Sequence, residues 1–215
     1  MDILSLICFF CILPLFILLF FGVVIGIIYR DRRKHTDAWR ELARQAGLAF
    51  HEPGWILGRP TLSGDWHGRA VRVYTVTRGS GMTGSGMGPT SYMRIEMAAK
   101  TPEGRLISIS ERNFFSQLGR LGEEIQIGDA EFDQRFAARG QPPEFVRALL
   151  GSSGLRRLLL QARYVNVESA EEKIRYSQLN VETDVETMLF LFALLFDLAE
   201  AVERENPGFS EKPGF

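Results

Sequence analysis

The chain is poor in the residues that most often carry chemistry. It has two cysteines in 215 residues, Cys8 and Cys11, and three histidines, His35, His51 and His67. A disulfide framework and a cysteine-ligated metal are therefore excluded after residue 30, and no H-x-x-x-H spacing offers a zinc site. Net charge is -1. Basic side chains alternate with acidic ones, so there is no electrostatic footprint for nucleic acid, and nucleic acid is not an expected partner. No Gly-Lys-Ser, Gly-Lys-Thr or G-x-S-x-G string occurs, which removes the phosphate-loop and serine-hydrolase signatures. After residue 30 the longest apolar run, Met188 to Phe196, falls short of the roughly 20 residues a crossing helix needs and is bracketed by Glu186 and Asp197. It reads as a helix buried in a soluble core.

The opening segment is the opposite. From Ile3 to Tyr29 there is no charged side chain, enough for about 40 Å of helix against a hydrocarbon layer of about 30 Å. A cleaved leader would have a basic start and a small-residue cleavage site; here the start is Met1-Asp2 and the run ends in bulky residues. A retained transmembrane helix is expected over residues 1–30. The basic collar that follows, Arg30, Arg32, Arg33 and Lys34, faces only Asp2 on the other flank. This asymmetry places the N-terminus outside and the rest in the cytoplasm, at a plasma or inner membrane. The collar is also the candidate contact with membrane lipid. Gly22 and Gly26 form G-x-x-x-G, a spacing compatible with a homodimer through the transmembrane helix.

Residues 31–50 combine the collar with an expected amphipathic linker helix, capped by Thr36 or Asp37, carrying Trp39, Leu42, Ala43 and Ala46, and stopped by Gly47. Residues 51–205 form the expected cytoplasmic α+β domain, and 206–215 a flexible tail. Strands are expected at 61–66, 70–76, 91–100 and 105–111, with hairpins at His67-Gly68 and at Thr101-Pro102-Glu103-Gly104. Met93, Ile95, Met97 and Ala99 alternate with Tyr92, Arg94 and Glu96, giving one face to a core and one to water or a partner. Asp129 is an expected cap for a helix pairing Phe132 with Phe136, and Pro142-Pro143 open another. Further elements are expected at 155–161, at 164–168 with 173–178, and from Asp184 to about Glu205. Asp129, Glu131 and Asp133 imitate the start of a calcium loop, but Gln134 and Gly140 stand where glycine and glutamate are needed, so no metal is expected.

Gly79, Gly81 and Gly84 reproduce G-x-G-x-x-G. The strand before them alternates polar and apolar residues, and another strand follows where a helix would have to receive a pyrophosphate. No cofactor is expected, and the string reads as a connector between antiparallel strands. Arg78, Met82, Met87, Tyr92 and Arg94 are the candidate residues for a ligand or partner beside it. No catalytic residue stands out, so the expected function is a membrane-anchored interaction or regulatory module with a protein partner. The alternative is a membrane-tethered enzyme or small-ligand binder with a site near residues 79–88.

The string IQIGDAEFDQRFAARG, the upstream VTRGSG and the leading apolar helix together resemble uncharacterised bacterial proteins that have one membrane anchor and a cytoplasmic domain of unknown function. I-G-D-x-x-F-D-x-x-F is the most specific part of that likeness. The resemblance implies an α+β domain in an inner-membrane protein and transfers no catalytic residue.

Overall fold

The structure is a computed structural model that describes residues 3–52, 59–78, 90–101, 104–112, 123–170 and 172–204. At residues 3–15, 25, 27–29, 31–32, 78, 90 and 170 the description covers the backbone alone. The Cys8, Cys11, Arg32 and Arg78 side chains, and all of Met82, Met87, the Gly-rich string and the tail from 206, lie outside the described residues.

Helix α1 runs without interruption from Ile3 to Ala46. The separate linker helix expected to begin at Thr36 or Asp37 does not exist. Arginine and lysine are good helix formers, no glycine or proline lies between Tyr29 and Asp37, and the helix carries straight through the basic collar. It stops where expected. Gly47 adopts φ +67, and the Leu48 N–H closes back on Ala43 O at 2.9 Å, a left-handed terminus that suits glycine.

Eight strands follow, all paired antiparallel: β1 Ala49–His51, β2 Thr61–Trp66, β3 Arg69–Arg78, β4 Thr90–Ala98, β5 Leu106–Glu111, β6 Phe136–Gln141, β7 Asn166–Ala170 and β8 Lys173–Leu179. They form one sheet in the order β1-β2-β3-β4-β8-β7-β5-β6. The turn between β2 and β3 is the expected two-residue link: His67 and Gly68 both take positive φ, 51° and 85°, the pattern that matches strand twist. The hairpin expected at residues 101–104 is not one. β4 pairs with β3 and β8, and the β7–β8 hairpin sits between β4 and β5. A turn-forming composition specifies a change of direction; which strand lies beside which depends on long-range packing.

The helices cover one face of the sheet. α5, Val185–Arg204, lies across β4 and β8, and α3, Pro143–Gly151, packs on β6; α4, Ser153–Gln161, packs on both α3 and α5. The apolar run of α5 is buried as expected: Met188, Leu191, Phe192, Leu194, Leu195, Leu198, Ala199 and Val202 have 0–1% exposure. They join Leu62, Val73, Met93, Ile95, Met97, Ile174 and Tyr176 from the sheet, and Trp39, Leu42, Ala43 and Ala46 from the last turns of α1. α1 therefore belongs to the core at one end. At about 25 cal/mol per Å² of apolar surface, burying large side chains of this kind contributes roughly 1.5–3 kcal/mol each.

The I-G-D-x-x-F-D-x-x-F string folds into a tight knot. Asp129 caps α2, Ala130–Arg135, by accepting the Phe132 N–H at 3.2 Å. Asp133 turns back and accepts the Ile127 and Gly128 N–H groups at 3.0 and 2.9 Å. Phe136 is not on the helix, as the spacing suggested, but opens the edge strand β6; its ring still meets Phe132 at 5.1 Å. Two of the three carboxylates that imitate a calcium loop, Asp129 and Asp133, are thus engaged by backbone amides, and Asp129 also by Arg156 at 2.9 Å, while Glu131 is exposed.

Among the residues described with their side chains, which leave out 3–15 of α1, no helix is long and apolar enough to cross a membrane.

Candidate functional site

The face of the sheet opposite the helices carries the most organised polar array among the described residues. Strand register brings Ser63, Arg72, Glu96, Arg175, Glu168, Ser108 and Arg139 side by side on seven strands. Alternation fixes this composition: each of these residues follows or precedes a buried one, so the apolar set faces the helices and the polar set faces outward.

Glu96 is the hub. It accepts Tyr74 Oη at 2.9 Å, Arg175 Nε at 3.0 Å and Lys173 Nζ at 3.3 Å, while Arg175 reaches on to Glu168 at 2.8 Å. Partial burial works against the Glu96 charge, but hydrogen bonds from Tyr74, Arg175 and Lys173 outweigh it and hold the carboxyl below its ordinary value. Arg72 lies over the Tyr74 ring at 5.2 Å. At one end of the same face Val76, Tyr92 and Leu179 form a less charged patch, with Leu179 42% exposed.

Of the residues singled out from sequence, Tyr92 and Arg94 fall on this face, two positions apart on β4. Arg30, Arg33 and Lys34 are exposed on α1, and a Cβ added at Gly22 or Gly26 would meet nothing within 4 Å. Glu96, Arg175 and Glu168 were not singled out. Only the neighbourhood of Glu168 and Arg175 was legible: the expected turn at Ser169 to Glu172 sets Glu168 opposite Lys173, whereas β7 runs on to Ala170, which pairs with Lys173, and Glu168 falls opposite Arg175. Glu96 next to Arg175 was not, because β4 and β8 are distant in sequence and nothing local sets their register.

Two further polar groupings serve the fold. Arg69 makes two bonds of 2.8 Å to Glu203 on α5 and lies over Phe196 at 5.3 Å; the Lys100 N–H adds 2.8 Å to the same carboxylate. Arg69 first, then Lys100, overcomes the burial of Glu203 and lowers its carboxyl from the usual range. His67, Lys100, Phe196 and Glu200 share an open cleft of about 700 Å³ with this pair. His67 does not pair with Asp65, which instead accepts the Gly68 N–H at 2.7 Å; the imidazole stacks edge-on against Trp66 and Phe196. Elsewhere, Arg135 binds the terminal carbonyls of α4, and Arg156 those of α3, completing helix ends that would otherwise lack partners. No group of three or more His, Cys, Asp or Glu able to hold a metal occurs among the described residues.

Fold and site together describe an antiparallel sheet domain, helix-covered on one side and built onto the end of a long N-terminal helix, with an arginine- and tyrosine-bearing outer face. No protein-family model matches the chain, and no curated protein matches it. Among solved structures it is similar to the crystal structure of the mycobacterial trehalose monomycolate transport factor A, TtfA, with 9% identity and a TM-score of 0.57, over 81% of this chain and 97% of that one. At that identity the likeness establishes a shared fold.

Proposed function

We propose that this chain is a membrane-anchored interaction module. The uncharged part of α1 spans the bilayer, the domain stands on the Arg30–Lys34 side in the cytoplasm, and the outer sheet face receives a protein partner. The observation that carries this reading is the contrast along α1. Phe16, Leu18, Leu19, Phe20 and Phe21 are 57–70% exposed on every side of the helix, whereas Trp39, Leu42, Ala43 and Ala46 on the same helix are buried in the core. Water is a poor solvent for such a continuous apolar cylinder, and lipid is a good one.

Arginine and tyrosine are the residue types that most often dominate binding energy at protein interfaces, and Arg72, Tyr74, Tyr92, Arg94 and Arg175 supply them on the outer face. TtfA is described as a transport factor for trehalose monomycolate, and a role beside a transport process agrees with an anchored module. The resemblance to bacterial single-pass proteins points the same way. The test is alkaline extraction and protease accessibility in intact spheroplasts. The full chain should stay with the membrane pellet, and protease should reach the domain only after the membrane is opened. Release by alkali, or cleavage from outside, overturns the reading.

A further inference from the structure

The anchored domain has one end that must meet the bilayer, and the topology identifies it. Trp39 Nε1 donates to Glu182 O at 3.1 Å, so α1 enters the domain beside the connection from β8 to α5. The same end holds the last pairs of β1 with β2, His51 with Thr61, and of β3 with β4, Arg78 with Thr90. Asn180 N–H donates to Ser91 O at 3.1 Å, and Arg59 Nη2 donates to Ser91 Oγ at 2.8 Å, so the exit of β8 and residue 59 also lie at this end. α1 then runs away from it, since β1, entered through Gly47 and Leu48, runs back from Ala49 opposite Ser63 to His51 opposite Thr61. From Arg30 to Trp39 the helix rises only about 14 Å.

We infer that this end of the sheet rests on the anionic headgroup layer of the bilayer that holds α1, so that the domain is docked in one orientation. The inference rests on the anchor proposed above and adds the docked surface and its partner. Three observations support a lipid partner. Arg30, Arg33, Lys34 and Arg59 are exposed here. Of the described acids near them, Asp37 and Glu52 pair with Arg40, Glu182 accepts the Thr183 and Asp184 N–H groups, and Asp184 accepts from Thr187; Glu186 is exposed a turn into α5, and Asp31 lies within the collar itself. The outer face grades from the charged Glu96 row to Val76, Tyr92 and the exposed Leu179 as it nears this end, the pattern of an interfacial surface in which tyrosine sits at headgroup level. Each basic residue near an anionic surface shifts docking roughly fivefold.

The full chain with Cys8→Ser and Cys11→Ser, carrying an environment-sensitive fluorophore on Leu179→Cys, Thr183→Cys or Glu172→Cys, tests this in vesicles containing headgroup-level nitroxide lipids. All three positions are exposed, and β8 separates residues 172 and 179 by about 23 Å. Strong quenching is expected at 179 and 183 and little at 172. It should weaken when phosphatidylglycerol is replaced by phosphatidylcholine, and in an Arg33→Gln, Lys34→Gln, Arg59→Gln variant. Equal quenching at all three sites, or stronger quenching at 172, in protein that floats with the vesicles overturns the docking while leaving the anchor intact. Protein that does not float removes the anchor, and the docking with it.

Discussion

Gly140 shows how one position can be set by space alone. A methyl group there would lie 2.1 Å from Leu106 O and 2.6 Å from Val146 Cγ2, and neither the β5 backbone nor the packed α3 side chain can withdraw without loss. Gly140→Ala is expected to destabilise the domain by about 1–3 kcal/mol or more, read as a shift of the urea midpoint. Asp133 illustrates a different constraint. Its two oxygens satisfy two backbone N–H groups, and Asp133→Ala is expected to cost roughly 1–3 kcal/mol by the same measurement, whereas calcium should have no effect on either protein. Glu96 and Glu203 give the pH dependence its sign. Each carboxyl is held below its unfolded value, so its stabilisation is complete above about pH 4–5 and is lost as pH falls through the folded value. Thermal midpoints should therefore fall on acidification below about pH 5, and Glu96→Gln should flatten that slope.

At the scale of elements, α1 joins the core only through its last turns. Trp39 is 1% exposed and reaches Glu182 O across the α1–α5 junction. Trp39→Phe keeps most of the ring and drops the hydrogen bond, an expected loss of about 1 kcal/mol; Trp39→Ala adds a cavity, for roughly 3–5 kcal/mol in all. β6 is the element least legible beforehand. Its sequence Phe-Ala-Ala-Arg-Gly-Gln favours helix by local propensity, yet the strand forms because β5 offers a free edge and Ile125 bridges to Ala138. β1 leaves no mark in the sequence for a related reason: three residues are too few for alternation to register, and pairing with β2 alone defines them. The long final helix was legible because its apolar run is too short for a bilayer and too long for a strand.

For the whole molecule the division of α1 has a measurable consequence. The buried core begins at Trp39 among the described residues, so a chain starting at Arg30 should unfold at nearly the same urea concentration as the full protein, while one starting at Gly47 should fail to fold. Circular dichroism during urea titration, with the full chain in detergent as reference, checks both.

What local chemistry settled unaided was the kind of material at each position: an uncharged opening helix, a basic collar, alternating strands, the glycine stop at 47, the Asp129 cap and the buried last helix. These depend on neighbours within a few residues, and periodicity or capping reports them directly. Only the tertiary structure decided that the collar continues one helix into the core, that β7 and β8 insert between β4 and β5, and that Glu96 meets Arg175. Those choices join segments far apart along the chain, where register and order are fixed by how a complete apolar face can be covered, a property no single stretch of residues contains.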